Sequence, residues 1–400
     1  MSGTQYDLDS PPTDAISALR FSPSGRTLAV SSWDRTISLY RSVPESTGDA
    51  PPFTFSGTRI RCRAPVLDVC WGADDETLFA VGLDWDVRQI RVGAKPQTGN
   101  ESGTEDSDMN GQSESDEDQI VLSTHGAASN KLAFSDPHGL LISTSWDSTL
   151  HIHLPATHKI LRVPLPAKPF ALSLTSTKAV VAMADRHIAV HDLNALRLLT
   201  EQAGTSANGV GPNHDVTVVT PWQTRESSLK FMTRAVACMP DGTGFATSSI
   251  EGRVGVDFFD PAQQGGAYAF KCHRQTVQAP SAASGGAEQQ GEGEAEVQEV
   301  DVVYPVNALA FHPVHGTFAT GGGDGVVCVW DAKTKRRVRQ FPKFAGSVAG
   351  VEFSGDGQFM AVGVSPGFED GEEAGEGEGA EVKVVVRVLG EGEVRGKGAK

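Results

Sequence analysis

Apolar and polar residues alternate with a period of two in short segments along most of the chain, and these segments recur as one repeated unit. Each unit has two alternating stretches around a turn rich in Gly, Ser, Asp and Pro, and a third stretch often follows, as in residues 36–40 and 326–330. Seven units begin at Ala15, Pro65, Ala128, Lys168, Thr233, Val306 and Ser347. This alternation between polar turns predicts antiparallel strands connected in sequence.

A single meander of this kind cannot bury its own faces, so the units are expected to stack around an axis. The pattern resembles the WD-repeat propeller, which has four strands in each blade. We therefore predict an all-β fold, a seven-bladed WD-repeat β-propeller. The last unit lacks an obvious fourth strand while residues 5–8 are spare, so we expect the N-terminal strand to complete blade seven.

The Trp-Asp pair that names this repeat ends a third strand only at Trp330-Asp331. Three further pairs lie one turn earlier, at Trp33-Asp34, Trp85-Asp86 and Trp146-Asp147. An acidic residue recurs in that turn at six places: Asp34, Asp86, Asp147, Asp185, Glu251 and Asp324. We interpret it as structural, because an Asp in a tight turn accepts backbone hydrogen bonds.

Charge is distributed unevenly along the chain. Segments at about 98–119, 276–303 and 366–382 contain 8, 6 and 7 acidic residues and no Lys or Arg, so we expect disordered acidic insertions. Removing these 21 negative charges from the net charge of −16 leaves +5, which predicts a mildly basic ring. Four hundred residues suffice for one propeller with insertions, so we expect a single domain over residues 1–400.

Several function classes lack support in the sequence. Five cysteines without metal-finger spacing predict free thiols in a reducing compartment. No apolar run approaches 18 residues and no hydrophobic signal core is present at the N-terminus, so we expect a soluble intracellular protein that does not bind membranes. Without a GxSxG, HExxH or phosphate-cradling Gly motif, we expect no enzymatic activity, no cofactor and no metal.

One region departs from generic propeller sequence. It reads RESSLKFMTR in residues 225–234, SSIEGRVGVDFFD in 248–260 and YAFKCHR in 268–274. Together with YPVNALAFHPVHGTFATGGGDG, these phrases resemble the mitotic checkpoint WD-repeat protein of the Bub family, a kinetochore adaptor, and the resemblance covers nearly the whole chain apart from the insertions. A sister family, the RNA-export WD-repeat protein that docks on a nucleoporin, shares EGRV, FKCHR and FHPVHGT. ESSLK, TGGGDG and the basic hairpin after Trp330 are more similar to the checkpoint branch.

The same region concentrates cations on neighbouring strands of blade five: Arg225, Lys230, Arg234, Arg253, Lys271 and Arg274. Consecutive strands of a meander are neighbours, so we expect several guanidinium groups to converge. Arg binds carboxylate or phosphate through two parallel hydrogen bonds. Pairing with Glu226, Glu251 and Asp257 is the structural alternative for any one cation, but the group as a whole favours an anion site.

The family resemblance suggests which anion this site binds. It implies a phosphothreonine in MELT-type repeats of the kinetochore scaffold, bound by Arg234, Arg253, Lys271 and Arg274. A phosphate placed opposite an Arg cluster forms one to three charge-assisted hydrogen bonds.

A second surface is expected where the turn tryptophans gather on one face of the ring. Aromatic residues there form a binding platform, although packing between blades would explain any single one. In the resembling family that face receives the GLEBS segment of the checkpoint kinase and of its Mad or pseudokinase relative. The residues that we assign to this segment are Trp33, Trp85, Trp146, Arg225 and Glu251.

The resemblance also implies a spindle assembly checkpoint role in cell division, with location in the nucleus and at the kinetochore in mitosis. The alternative function is an RNA-export protein that binds a nucleoporin GLEBS segment and RNA. Direct nucleic-acid binding is not our expectation, because the surplus of +5 is modest and the aromatic residues lie in turns. The cluster KTKRRVR at residues 333–339 fits either a nuclear localisation signal or the outer hairpin of a blade, and we favour the hairpin.

Overall fold

Seven four-stranded antiparallel sheets follow one another along the chain, as the repeats predicted. The computed structural model describes residues 3–43, 50–93, 119–203, 216–280, 297–366 and 381–396. Each sheet is one blade of a seven-bladed propeller, and in blades 1 to 6 the strands run in chain order from the centre to the rim. In the described ranges, no helix is long and apolar enough to cross a membrane.

The chain begins with β1 (Gln5–Asp7) and then builds the first four blades. Blade 1 contains β2 (Ile16–Phe21), β3 (Thr27–Ser32), β4 (Thr36–Ser42) and β5 (Phe53–Arg61). Blade 2 contains β6 (Val66–Trp71), β7 (Thr77–Gly82), β8 (Asp86–Arg91) and β9 (Gln119–Thr124). Blade 3 contains β10 (Ser129–Ser135), β11 (Leu140–Ser145), β12 (Thr149–Leu154) and β13 (Lys159–Pro164). Blade 4 contains β14 (Pro169–Leu174), β15 (Lys178–Met183), β16 (His187–Asp192) and β17 (Gln223–Glu226), with helix α1 (Leu193–Gln202) before its last strand.

The second part of the chain builds three blades and one extra hairpin. Blade 5 contains β18 (Thr233–Cys238), β19 (Gly244–Ser249), β20 (Arg253–Phe258) and β21 (Tyr268–Lys271). The extra hairpin consists of β22 (Arg274–Pro280) and β23 (Val297–Val303). Blade 6 contains β24 (Val306–Phe311), β25 (Thr317–Gly322), β26 (Val327–Asp331) and β27 (Arg336–Gln340). Blade 7 contains β28 (Ser347–Phe353), β29 (Phe359–Ser365) and β30 (Lys383–Val388), and the short helix α2 (Glu391–Val394) follows.

The hydrophobic core lies between the blades. The second strands β3, β11 and β19 are buried at all six positions, because each is covered by a neighbouring blade on both faces. Their sequences accordingly combine apolar residues with small Ser and Thr residues, which pack where adjacent blades approach closely. Both faces of these strands are therefore buried, and their Ser and Thr residues pack between blades and do not face solvent.

The N-terminal strand closes the ring, as expected. β1 pairs with β30 in the register Gln5↔Arg387 and Asp7↔Val385, and the backbone of Leu8 donates to Val384 at 2.8 Å. Leu8 is buried in the cluster between blades 7 and 1. Blade 7 thus combines both ends of the described chain in one sheet.

The expectation of disorder throughout residues 276–303 was wrong at both ends of that segment. Residues 274–280 pair with 297–303 as a two-stranded antiparallel ribbon, in which Thr276 donates to Asp301 at 2.9 Å. The β-branched residues of these two stretches favour extended strands despite the acidic composition of the segment. The fourth strand of blade 5 also ends at Lys271, so Arg274 opens the ribbon and does not end that strand. Residues 94–118, 281–296 and 367–380, which make up most of the predicted insertions, lie outside the described residues.

Three of the six turn acids, Asp34, Asp147 and Asp324, have the structural role that we inferred. Asp34 and Asp147 each accept hydrogen bonds from the Thr two residues later, through both its backbone N–H and its hydroxyl, at 2.6 to 2.9 Å. Asp324 accepts from the backbone of Val326 at 3.1 Å and pairs with His273 Nδ1 at 2.8 Å. These contacts tie the turn to the strand that follows and, through His273, to the link between blades.

Candidate functional site

The turns between second and third strands and the links between consecutive blades lie on the same face of the ring, which we call the upper face. At its centre, where the inner strands begin, is a cavity of about 960 Å³. Residues from all seven blades or their links line it. Those used below are Trp33, Lys131, Trp146, Lys168, Met232, Arg234, Asn307 and Ser347.

Trp33 and Trp146 occupy equivalent positions on the rim of this cavity. The backbone N–H of each donates at 3.0 Å to the residue just before its own inner strand, Ala15 and Ala128 respectively. Their side chains are 41% and 38% exposed, so they present indole surface to solvent. Lys168 lies over the Trp146 ring with its ammonium 6.0 Å from the ring centroid. The structure brings these two predicted residues together.

Trp85 does not share that position. In blade 2 the equivalent hydrogen bond to Pro65 comes from Leu83, and Trp85 lies two residues later with a positive φ of 71°. The turn reads Leu-Asp-Trp-Asp, so Asp84 corresponds to the turn acids of the other blades, whereas Asp86 opens β8 and pairs with Arg88 at 2.6 Å. Grouping Trp85 and Asp86 with the other turn residues was therefore wrong in register by two positions.

Arg234 lies at the mouth of the central channel, at the start of the inner strand of blade 5. Its Nε and one terminal nitrogen donate to the side-chain oxygen of Asn307 in blade 6, at 3.2 and 2.9 Å. Asn307 in turn donates to the Ser347 hydroxyl at 3.1 Å and the Val348 carbonyl at 3.3 Å in blade 7. Three blades thus hold the exposed guanidinium in one orientation.

Lys131 of blade 3 adds a second cation to the lining of this cavity. Burial lowers the pKa of its ammonium, the nearby Arg20 and Arg234 lower it further, and Asp68, 3.8 Å away, opposes this shift. The mouth of the channel therefore carries cations from two blades.

The other predicted cations of blade 5 form a separate group toward the rim of the propeller. Arg253 and Lys271 are cross-strand partners in β20 and β21. The Arg253 Nε lies 3.4 Å from the Glu251 carboxylate, and Arg274 donates to the Glu251 backbone carbonyl at 2.9 Å. Glu251 is thus at the centre of this group, and Arg234 is not part of it.

Arg225 lies elsewhere. Its guanidinium donates to the Gln223 side chain at 2.7 Å and to the Phe259 carbonyl at 2.9 Å, at the lower ends of β17 and β20. Burial lowers its pKa, and Asp257 opposes that shift. The structure places Arg225 in the contact between blades 4 and 5, away from the tryptophans with which it was grouped.

Apolar residues between the two cationic groups were not identified from the sequence. Phe231 and Met232 precede β18 and are exposed, and Ile250 in the next turn is also exposed. The Ile250 backbone donates to Met232 at 3.1 Å, so the three residues form one surface between Arg234 and Arg253. The signal was present in the phrase RESSLKFMTR, of which only the cations were weighed.

The upper face therefore combines two exposed indoles with Arg234 and Lys131 around a central cavity, and an apolar surface connects Arg234 to the Arg253 group nearer the rim. Such a surface suits a peptide that carries both apolar and anionic groups. Within the described ranges, no cluster of three or more His, Cys, Asp or Glu residues is arranged to hold a metal ion.

Comparison with known proteins agrees with the fold. A model of the WD domain, G-beta repeat (WD40) matches residues 4–41, 117–153 and 302–331. The Arabidopsis thaliana protein named mitotic checkpoint protein BUB3.1 is 36% identical over 399 residues, covering 98% of this chain and 94% of that protein. The Dictyostelium discoideum mitotic checkpoint protein bub3 is 29% identical, with 92% and 90% covered. The Schizosaccharomyces pombe poly(A)+ RNA export protein is 27% identical, with 90% and 84% covered.

Similarity at this level over nearly the full length, together with the seven blades, settles the family. The chain belongs to the Bub3 family of WD40-repeat mitotic checkpoint proteins, and it is also similar to a protein named Rae1 and to an mRNA export factor named GLE2.

Proposed function

We propose that this chain is a non-catalytic adaptor of the spindle assembly checkpoint. In this proposal it binds the GLEBS segments of a checkpoint kinase and of its Mad or pseudokinase relative, and it docks them on phosphorylated MELT-type repeats of the kinetochore scaffold. It acts in the nucleus and, during mitosis, at the kinetochore. The observation that carries the proposal is the joint placement of exposed indoles and a pre-oriented Arg234 around one cavity of the upper face.

Arg234 is our first choice for the phosphothreonine. Asn307 orients the exposed guanidinium through a neutral oxygen, which competes with an incoming phosphate less than a carboxylate would. Arg253, by contrast, has the carboxylate of Glu251 at 3.4 Å. We assign Arg253, Lys271 and Arg274 to the flanking residues of the scaffold peptide, where diffuse positive charge increases the association rate.

The GLEBS segment is assigned to the rim with Trp33 and Trp146. Both side chains offer wide apolar contact area, and the neighbouring Lys168 supplies a cation for acidic residues. Arg225 and Trp85, which the resemblance assigned to this segment, lie away from that rim, so we give them no direct contact. Glu251 stays a candidate through its position between Arg253 and Arg274.

The experiment is a titration with a MELT-type peptide, phosphorylated or unphosphorylated on its threonine, with and without a GLEBS peptide, followed by fluorescence anisotropy. We expect phosphate-dependent binding that Arg234→Ala weakens at least tenfold while binding of the GLEBS peptide is preserved. Arg91→Ala, which removes an exposed Arg from blade 2, is the matched control. Equal loss of both peptides in Arg234→Ala would contradict two separate sites.

The export relatives define the second candidate function. Two proteins named for RNA export are 27% and 25% identical to this chain over most of its length. Binding of the GLEBS peptide without any binding of the phosphorylated MELT-type peptide would favour that branch, and salt-dependent binding of RNA would then support it.

A further inference from the structure

The outermost strand of blade 6 carries an unusual charge pattern that the upper-face proposal does not use. β27 pairs with β26 along one edge only, in the register Asp331↔Arg336, Trp330↔Arg337 and Val329↔Arg339. It is the last strand of its sheet, so its second edge faces outward from the ring. Six exposed cations lie on this strand and on the segments beside it: Lys333, Lys335, Arg336, Arg337, Arg339 and Lys343.

No other outermost strand of the described propeller resembles it in charge. β27 has three Arg in five residues, whereas none of the outer strands β1, β5, β9, β13, β17 and β21 has more than two Lys or Arg. The basic segment is also a folded hairpin strand, as we favoured from the sequence. Its backbone is therefore held in extended form by β26 and is not a free tail.

The cations of this strand outnumber the acids beside it. Asp331 is buried and accepts from the backbone N–H groups of Lys333 and Thr334 at 2.9 and 3.3 Å. Glu393 is buried and ion-pairs with Arg387 at 2.7 Å, and Arg339 reaches it only at 3.9 Å. The charge excess along the strand is therefore available to a partner.

The cations flank the open edge on both faces of the sheet. On the blade 5 side, Lys335 lies 4.5 Å from the ring centroid of Tyr268, and Arg337 lies beside the thiol of Cys328. On the blade 7 side, Val338 packs into the cluster between blades 6 and 7, and Arg339 points toward Glu393. An extended peptide added at this edge would alternate its side chains between these two faces.

We propose that the free edge of β27 binds an acidic, extended segment of a partner protein, which adds to blade 6 as a fifth strand. An edge strand presents unpaired backbone groups that pair readily with another chain. Cations beside such an edge repel basic strands and discourage pairing between copies of the ring, but they attract a strand with acidic residues on both faces. This site lies outside the upper face and does not depend on the proposed function.

Nucleic acid fits the same strand less well. Cations that read a phosphate backbone gather on one surface, whereas these are divided between two faces. Single-strand binding also uses exposed aromatic residues for base stacking. Between Lys333 and Lys343 the only aromatic residue is Phe341, which is buried.

The test uses the full chain and a fluorescein-labelled nine-residue peptide in which pairs of Glu alternate with pairs of Thr, so that both faces of the extended strand carry acids. Binding is measured by anisotropy at low salt. A second peptide replaces two central Thr residues with Pro, which removes backbone donors but keeps the charge. We expect binding of the first peptide, at least fivefold weaker binding of the second, and increased hydrogen-exchange protection of residues 336–340 on addition of the first.

Two variants locate the site. We expect Arg336→Glu/Arg337→Glu to weaken the Glu-Thr peptide at least tenfold, and Arg336→Gln/Arg337→Gln to weaken it less. Arg26→Glu/Arg41→Glu makes the same charge change at exposed positions of blade 1 and should leave binding within twofold. An unchanged midpoint of urea unfolding shows that the variants are folded, so this test stays separate from that of the upper face.

Three results would overturn the proposal. Equal binding of both peptides would show attraction by charge without strand addition. Equal binding by the native chain and the Arg336→Glu/Arg337→Glu variant would place the peptide elsewhere. Binding of oligouridylate but not of the Glu-Thr peptide, with loss in that variant, would make the strand a nucleic-acid surface.

Discussion

Arg234 of blade 5 donates two hydrogen bonds to the side-chain oxygen of Asn307 in blade 6, at 2.9 and 3.2 Å. The amide nitrogen of Asn307 is committed to blade 7 through Ser347 and Val348, so the oxygen must face Arg234. The orientation of one cation at the channel mouth therefore depends on a chain of contacts across three blades. The neutral oxygen of Asn307 aligns the guanidinium without forming an ion pair with it.

Asn307→Asp tests that arrangement with almost no change in shape. A carboxylate at this position would form a bidentate ion pair with Arg234 and would compete with a phosphate for the same donors. We expect the affinity for a phosphorylated MELT-type peptide to fall at least tenfold and that for a GLEBS peptide to change less than threefold, both by anisotropy. Unchanged affinity for the phosphopeptide would remove Arg234 as the phosphate ligand.

The two equivalent tryptophans should dominate binding of the GLEBS segment. Truncating a hot-spot Trp typically costs about 2 kcal/mol or more, which is about thirtyfold in affinity. We therefore expect Trp33→Ala and Trp146→Ala each to weaken the GLEBS peptide by about that factor in anisotropy titrations. Trp85→Ala removes an equally exposed indole from the shifted position and should change the affinity less than threefold. A loss as large in Trp85→Ala would contradict the division of the three tryptophans.

The blades and their closure were predictable because both depend on regular features of sequence. Period-two alternation identified the strands, and the missing fourth strand of the last unit identified the role of β1, which pairs with β30. The ribbon of β22 and β23 was missed because its flanking residues are acidic and rich in Gly. The acidic composition of the whole segment was given more weight than the β-branched residues within 297–303, which pair with residues 274–280.

The site was predictable only in part, because side-chain direction depends on neighbouring blades. Arg225 was expected on blade 5 but lies on β17, the outer strand of blade 4, and its guanidinium donates to the Phe259 carbonyl of the next blade, away from the upper face. Trp85 lies two residues beyond the position of Trp33, because the blade 2 turn has the same length but reads Leu-Asp-Trp-Asp, with Leu83 at the equivalent position. Lys131 joins the channel mouth from blade 3, and such convergence follows from the closed ring and not from any local motif.

Asp324 should be among the most costly turn residues to replace. It is buried, it pairs with His273 at 2.8 Å, and His273 in turn contacts the hydroxyl of Thr320, to which the Trp330 indole donates. Because Asp324→Ala removes a charged acceptor and leaves His273 unsatisfied, we expect it to lower the free energy of unfolding by about 3 kcal/mol in urea titrations. Asp324→Asn retains an acceptor and should cost less, and equal costs would argue against a charge-assisted bond.

Stability should fall in mild acid, and His191 provides a clean test of the cause. It is buried, neither ring nitrogen has a hydrogen-bond partner among the described residues, and burial lowers its pKa to about 4. An unfolded His titrates near 6.5. Between pH 4 and pH 6.5 the unfolded chain therefore binds a proton that the folded chain does not. The contribution of neutral His191 to the free energy of unfolding is complete above pH 6.5 and is lost as the pH falls toward 4.

His191→Leu should remove that pH dependence without breaking a hydrogen bond. Relative to the native chain, we expect the variant to gain ~2 kcal/mol of unfolding free energy between pH 7 and pH 5 in urea titrations. His187→Leu, at an exposed position of the same strand, is the control and should show the native pH dependence.

Other buried groups also contribute to the pH dependence of stability. His153, whose pKa burial lowers to about 3, acts in the same direction as His191 and leaves a residual slope in both variants. Glu352 acts in the opposite direction, because burial raises its pKa to about 7. The histidines whose pKa burial lowers must together outweigh it, and these are His125, His151, His153, His191 and His312. Parallel curves for His191→Leu and the native chain would show that His191 does not titrate on unfolding as its burial requires.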